Sequence, residues 1–446
     1  MERSSYSAIL ASKDKTGAKA SRVTFYFFSG FFCLLTLVGV WRHFSPVPFW
    51  DMWDAVKWYE NLGSLGISSF WSQHNEHRIA ISRLLFAADF STFGGEGYFL
   101  VTLNVIFAGI ASLLLIYFAR NQALIHFSAS AKYSYFSLVI GGCFFWSQNN
   151  NLTWGFQSQF FLAYLLPLAS LIFLARWGET HRGSYMAVAI LLASLSPWTL
   201  AGGFLVFIPF MFIAISLKIT KRQTLLLAGL FLTEIALYFW GYSQPPYHSS
   251  PVQTIFGQPI ETATFASIAA GSPIFYIFGE NQGAAILAGF TGGMSFALTA
   301  ALLTLWLIKK IKLPKAAWPL LGFVVYCQAT FIATAAGRLN FGMEMAVSSR
   351  YTTPAIYMFL CIVLTIATIF SQDNRIHIGI TIYSWAILVC MVPFQMMTLF
   401  DNNDEVFHRQ VAALGLAEGV NDPAYSGTVY PNWDLPRETV EKITAK

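Results

Sequence analysis

Charged residues are scarce in this chain of 446 residues. Asp, Glu, Lys and Arg together make up 11% of it, whereas 56% of its residues are hydrophobic. So few charges cannot cover the two or three water-soluble domains that this length would otherwise suggest. The net charge of +5 is no sign of nucleic-acid binding, because basic residues in a membrane protein mostly report the orientation of loops. The composition therefore predicts a lipid bilayer as partner and no nucleic acid.

Cysteine is also rare, and no CxxC pair occurs. All of the cysteines lie inside apolar runs, where small buried side chains are the usual interpretation. A disulfide framework and a zinc site are therefore not supported. The five residues are Cys33, Cys143, Cys327, Cys361 and Cys390.

Long apolar runs fill most of the chain, and the short alternating segments of a membrane barrel are missing. A run of about 20 apolar residues spans the hydrocarbon core as a helix. We therefore predict an all-α polytopic membrane protein with about eleven transmembrane helices. The predicted spans are 23–41, 97–119, 133–147, 160–176, 184–196, 203–218, 223–241, 284–308, 316–336, 353–370 and 378–400.

The distribution of Lys and Arg predicts the orientation. With residues 1–22 in the cytoplasm and the first run as an uncleaved signal anchor, 17 of the 27 basic residues fall on the cytoplasmic side. A transmembrane bundle at 23–400 then carries two outer loops, 42–96 and 242–283. The tail 401–446 is predicted to lie outside the membrane.

A moderately apolar stretch at 262–279 is broken by Gly271, Ser272 and Pro273. We interpret it as a helix that lies on the outer surface or dips into it, because a full span here would invert every later loop.

The polar insert at 41–96 is the densest collection of reactive groups in the chain. It holds three of the eight histidines. Helices that lie along the membrane are expected in it. Its six carboxylates are Asp51, Asp54, Glu60, Glu76, Asp89 and Glu96.

Asp51 and Asp54 share a face if the stretch 50–60 is helical. Two nearby carboxylates raise one pKa by mutual repulsion, which suits a general base. The structural alternative is an interfacial helix whose tryptophans sit at the level of the lipid headgroups.

The run His74-Asn75-Glu76-His77-Arg78 is dense in acidic, basic and hydrogen-bonding groups. On a helix, His74, His77 and Arg78 would fall on one face. The spacing is HxxH and not the HExxH of zinc proteases, so we predict a network that positions a ligand. Metal binding and an ordinary solvated helix start are left open.

Arg350 lies where an outer loop re-enters the membrane, just before Tyr351, and Arg338 ends the previous span. An arginine at that depth needs an anionic partner. Two guanidinium groups beside one loop could clamp a phosphate in bidentate fashion. The alternative for each is a snorkelling side chain at the interface.

Amide side chains beside aromatic rings suit sugar binding. Gln148, Asn149, Trp154 and Gln157 form such a group, and Trp198 lies in a third polar segment on the same predicted side. The alternative is a polar turn with tryptophans of the aromatic belt.

With these residues in view, the chain resembles the GT-C class of polytopic glycosyltransferases. Asp51 and Asp54 follow the first span in a long outer insert, as the acidic pair of that class does. The HNEHR, WGFQ and SRY runs look like those of bacterial membrane proteins grouped with the class. Serotype-converting O-antigen glucosyltransferases are similar in size and in their long first outer loop.

The resemblance implies an enzyme of the bacterial inner membrane, with its N-terminus cytoplasmic and its C-terminus periplasmic. It implies a polyprenyl-phosphate-linked sugar as donor and a glycan or lipid as acceptor. Asp51 or Asp54 would act as base, and Arg350, with Arg338 or Arg78, would bind the donor phosphate. The spacing Asp-x-x-Asp departs from the commoner acidic pairs of the class, so no cofactor is assigned and a divalent metal is left open. The alternatives are a flippase or transporter of lipid-linked saccharides, and an O-antigen polymerase or ligase.

Overall fold

The computed structural model describes residues 2–245, 250–420 and 427–444. Their regular secondary structure is helical, and the only β-type pairing among them is an isolated bridge between His74 and His77. The helices of ten or more residues are α1 (Glu2–His43), α2 (Asp51–Glu60), α3 (Ala80–Thr92), α4 (Tyr98–Phe118), α5 (Ala129–Cys143), α6 (Ser158–Thr180), α7 (Gly183–Leu195), α8 (Phe207–Ser216), α9 (Lys221–Phe239), α10 (Pro259–Ala270), α11 (Gln282–Leu307), α12 (Ala317–Arg338), α13 (Thr352–Ile369), α14 (Asn374–Phe400), α15 (Asp404–Ala417) and α16 (Asp434–Thr444).

Shorter helical segments join these helices. The α-helical ones are Leu62–Leu65, Asn149–Thr153, Pro251–Gly257 and Ser272–Ile277, and Ala119–Ala123 is a π-helix. The 3₁₀ segments are Ile67–Trp71, Trp146–Gln148, Gly155–Gln157, Ser196–Trp198, Ala201–Val206, Leu339–Phe341, Met343–Val347 and Ser349–Tyr351.

Eight helices in the described part of the chain are long and apolar enough to cross a membrane. This confirms an all-α polytopic membrane protein. The eight are Ala18–His43, Tyr98–Ala123, Gly155–Thr180, Lys221–Phe239, Gln282–Leu307, Ala317–Phe341, Ser349–Ile369 and Asn374–Ala417.

The other three predicted spans are helices of 10 to 15 residues: α5, α7 and α8. Each is short because a 3₁₀ segment interrupts its apolar run. These segments are Trp146–Gln148 after α5, Ser196–Trp198 with Pro197 after α7, and Ala201–Val206 before α8. Helix length and hydropathy therefore identify eight membrane-spanning helices in the described part of the chain, fewer than the eleven predicted.

Helix α5 nevertheless lies in the middle of the bundle. It packs against α1 and α14 and also contacts α4 and α13. The buried Tyr135 hydroxyl donates to the carbonyl of Leu360, at 3.1 Å. A polar bond of this kind in the core fixes α5 relative to α13.

The stretch predicted as a surface helix at 262–279 packs tightly against α11. A Cβ atom at Gly292 would lie 1.8 Å from the Ser267 carbonyl oxygen, and one at Gly271 would lie 1.9 Å from that of Ala288. Only glycine allows the two backbones to approach so closely. The stretch is thus two short helices, broken at Gly271 as predicted and docked on the bundle.

Candidate active site

The predicted helix at the start of the insert is confirmed as α2, and its first turn carries both aspartates. Carboxylates in a first turn interact favourably with the positive end of the helix dipole. Trp53 and Trp58, only 5% and 8% exposed, pack into the protein. The headgroup-level alternative therefore does not apply to these two residues, whereas Trp50 is 44% exposed.

The HNEHR run is a tight turn and not a helix, so the helical arrangement considered for it is wrong. His74 and His77 exchange two backbone hydrogen bonds, at 2.7 and 2.8 Å. Asn75 has φ of 47°, a left-handed conformation that Asn adopts more readily than most residues. Its side-chain amide lies 3.5 Å from the His74 ring. The turn brings both histidine rings to the same compact site.

His74 faces the acidic pair. Its Nε2 atom lies 4.0 Å from the Asp51 carboxylate, and its ring packs against Phe156 with centroids 5.4 Å apart. Burial lowers the pKa of His74 to about 4, although the charge of Asp54 opposes this. The imidazole is therefore neutral at neutral pH and serves Asp51 as a polar neighbour.

His77, Glu76 and Arg338 form a linked group. The Ala201 amide donates to Nδ1 of His77 at 3.2 Å, so Nε2 carries the proton and faces Glu76 at 3.4 Å. Arg338 also donates to the same Glu76 oxygen. Burial raises the pKa of Glu76, but His77 and Arg338 outweigh it and hold this pKa well below its usual range.

Arg78 binds main-chain carbonyls. Its Nε and Nη2 atoms donate to Tyr238 and Trp240, both at 2.6 Å, and Nη1 donates to Trp71. These bonds tie the insert to the end of α9. They favour a structural role for Arg78, and its predicted phosphate contact stays a prediction.

Asp51 lies within electrostatic range of both other arginines. Burial raises the pKa of Asp51, while the positive charges of Arg350 and Arg338 oppose the rise. Its side chain is 31% exposed, so one face is open to a ligand. A half-buried carboxylate with a raised pKa and an accessible face is a candidate general base.

Arg350 sits half-buried on a loop between α12 and α13. Its Nε atom donates to the Ser348 hydroxyl at 3.1 Å, and no carboxylate oxygen of the described residues lies within 4.0 Å of its guanidinium group. Glu344, the carboxylate nearest to Arg350 in the sequence, is exposed and makes no such pair with it. The guanidinium group therefore keeps donors for an anion.

The amide side chains of Gln148, Asn149 and Asn151, before α6, hydrogen-bond to the Arg350 loop and to the start of α13. Asn151 donates to the Arg350 carbonyl at 2.9 Å and to the Thr353 hydroxyl at 2.8 Å. Ser349 donates to Asn149 Oδ1 at 2.8 Å, and Thr353 donates to the buried Gln148 at 2.7 Å. Gln148 and Asn149 thus support the Arg350 loop, and their predicted contact with substrate stays a prediction.

The remaining predicted residues line the same region. Trp154 is half-buried and stacks on Phe156, with centroids 5.7 Å apart. Gln157 and Tyr351 are buried, at 1% and 4% exposure, and the Trp198 ring packs 5.6 Å from Tyr238. Of this group, Trp154 and Trp198 present accessible ring surface.

Four polar segments meet at one end of the bundle: the insert, the segment before α6, the segment after α7 and the Arg350 loop with the end of α12. The insert contacts the segment after α7 through His77, the end of α12 through Glu76, and α9 through Arg78. The segment before α6 contacts the Arg350 loop. We call this end of the bundle the site end. In the described part of the chain, no three His, Cys, Asp or Glu residues are grouped to hold a metal ion.

One contact at the site end was missed from the sequence. Tyr430, in the polar tail, donates from its hydroxyl to Asp54 Oδ2 at 3.2 Å. The available signal was an aromatic residue in a tail that is otherwise rich in Asn, Asp and Pro.

No family model, curated protein or solved structure matches this chain.

Proposed function

We propose that this protein is a GT-C type glycosyltransferase that moves a sugar from a polyprenyl-phosphate carrier to a glycan or lipid acceptor. The observation that carries the proposal is that Asp51 lies within electrostatic range of Arg350 at one end of an apolar bundle. One is a half-buried carboxylate with an open face, and the other is a guanidinium group with no carboxylate in contact among the described residues. A base beside an anion site is what this transfer needs.

The chemistry assigns each residue one part. An acceptor oxygen attacks the anomeric carbon of the sugar and forms the new C–O bond, and its proton goes to Asp51. The bond between the anomeric carbon and the phosphate oxygen breaks, and polyprenyl phosphate leaves with one more negative charge. Arg350 stabilises that added charge, so its interaction is stronger in the transition state than with the bound donor.

The neighbouring residues orient these two. Arg338 adds positive charge but is bound to Glu76, so we assign it an indirect electrostatic role. His74 keeps the Asp51 side chain ordered without placing a second charge against it. Trp154 and Trp198 offer ring faces for a sugar, which packs its C–H groups against aromatic rings.

We also propose that α5, α7 and α8 cross the membrane, which restores eleven crossings. The insert after α1, the segment before α6, the segment after α7 and the end of α9 all belong to the site end. Between two consecutive segments of the site end, the chain must cross the membrane and cross back. Helices α5, α7 and α8 are needed for these crossings, since the long helices alone would leave some of the segments on the opposite side. Basic residues in the opposite loops support a cytoplasmic N-terminus and a periplasmic site end in a bacterial inner membrane.

A reconstituted assay tests the proposal. Purified protein in liposomes receives a polyprenyl-phosphate sugar with a labelled hexose, together with extracted cell-surface glycan or lipid. We expect labelled acceptor and free polyprenyl phosphate in equal amounts. Movement of intact donor across the bilayer without cleavage would instead identify a flippase. Transfer only from a lipid-diphosphate donor would identify a polymerase or ligase.

A further inference from the structure

The carboxy-terminal tail returns to the insert and packs on α2. The carbonyl of Val429, which is fully buried, accepts a hydrogen bond from the Trp50 amide at 2.7 Å. The Tyr430 hydroxyl donates to Asp54. At the far end of α2, Lys442 donates to the Asn61 side chain. Helix α16 therefore lies along the helix that carries both aspartates.

The hydrogen bond to the Val429 carbonyl comes from Trp50, the residue just before Asp51. Trp50 has φ of 47° and ψ of −128°, a conformation that is unfavourable for a residue with a side chain. Such strain persists only where surrounding contacts hold it. The Val429 carbonyl is one such contact, so the tail helps to fix the direction in which the first turn of α2 leaves the loop.

We propose that residues 427–444 form part of the active site and that Tyr430 is a positioning residue, which holds Asp54 so that Asp51 is the base. This inference rests on the proposed function. It also assigns different roles to two aspartates that the sequence left equivalent. The Tyr430 bond occupies one oxygen of Asp54, whereas the open face of Asp51 can accept the acceptor's proton.

Four titratable groups act on Asp54. Asp51 and Lys57 lie on its own helix, His74 faces it from the turn, and Tyr430 faces it from the tail. Burial raises the pKa of Asp54; His74, Tyr430 and Lys57 lower it, and the charge of Asp51 raises it. Loss of the Tyr430 hydroxyl therefore raises the pKa of Asp54 further. A protonated Asp54 would donate a hydrogen bond to Asp51 and weaken it as a base.

The first test is Tyr430→Phe, which removes only the hydroxyl. We expect the transfer rate to fall about 10- to 100-fold, the range for a bond to a charged group. The acidic limb of the pH–rate profile should also move to higher pH, because Asp54 must be ionised for Asp51 to act as the base and the limb follows the raised pKa of Asp54. A purely structural role would not move it. Tyr98→Phe is the control, because Tyr98 is 55% exposed and packs its ring on Phe44. A wild-type rate and pH profile for Tyr430→Phe would overturn the inference.

The second test does not need activity. 3-Fluorotyrosine at position 430 is followed by fluorine NMR in detergent between pH 4 and 8. We expect its signal to move as Asp54 titrates and to stop moving in Asp54→Asn. A signal that is the same in both proteins would overturn the contact.

Together the tests separate the two proposals. If the wild-type protein transfers no sugar, the proposed function fails, whatever the fluorine signal does. If the wild-type protein transfers sugar and Tyr430→Phe behaves like it, only the inference about the tail fails.

Discussion

Arg338 donates a hydrogen bond to the Glu76 carboxylate across 262 residues of sequence. The pair joins the end of α12 to the turn of the insert, and His77 faces the same carboxylate oxygen. The site therefore depends on segments from both halves of the chain.

Glu76→Gln should destabilise the protein by roughly 1–3 kcal/mol, because it replaces a bond between charged groups by a weaker one. The pKa of Glu76 is lower in the folded protein than its usual 4.5. Its stabilising contribution is therefore complete above about pH 5 and is lost as the pH falls through the folded pKa. Thermal unfolding in detergent from about pH 2 to pH 8 measures both effects.

Glu344→Gln is the control for that prediction, since Glu344 is exposed on the same loop as Arg350. A Glu76→Gln protein as stable as this control at pH 7 would mean that the ion pair contributes nothing to folding.

Asn151→Ala should weaken donor binding although Asn151 is fully buried. Its amide group holds the Arg350 carbonyl and the Thr353 hydroxyl. Removal of the amide leaves buried polar groups unpaired and lets the loop shift, so we expect a loss of about 1–3 kcal/mol in stability. The KM for the lipid donor should rise. Asn150→Ala is the matched control, because the Asn150 residue is exposed and only its backbone amide is bound there.

Arg350 should act on the donor and not on the acceptor. Lysine keeps the charge but loses the planar fork, so Arg350→Lys should weaken donor use, and Arg350→Ala should abolish it. The expected loss for alanine is roughly 2–5 kcal/mol if the phosphate pair is desolvated. The measurement varies the lipid donor at saturating acceptor. Arg375→Ala, at an exposed residue, is the control. Unchanged donor dependence in Arg350→Ala would rule out the phosphate contact.

The helices were largely predictable because long apolar runs admit one structure in a bilayer. Helix α7 matches its predicted span 184–196 to within one residue. Helix α5 begins and ends about four residues before its predicted bounds 133–147, because Ser128 caps its start and a 3₁₀ segment begins at Trp146. The docking of 262–279 on α11 depends on close approach at Gly271 and Gly292, which a hydropathy profile does not measure.

The site was predictable as a group of residues and less so in its details. Polar residues on one side of the membrane are excluded from the lipid and gather at the same end of the bundle. Asp51, Glu76, Arg338 and Arg350 therefore converge as expected. The turn at Asn75 was missed because the same residue types also start helices. The contact of Tyr430 with Asp54 joins positions 376 residues apart, and no local pattern encodes it.

The transfer rate of Asp51→Asn tests the central claim most directly. Asparagine keeps the size of the side chain but cannot take a proton at neutral pH. We predict a fall of roughly 10²–10⁴ in transfer rate, with normal insertion and thermal stability, while Asp373→Asn at a helix cap keeps full activity. A folded Asp51→Asn protein that transfers sugar at the wild-type rate would contradict the account.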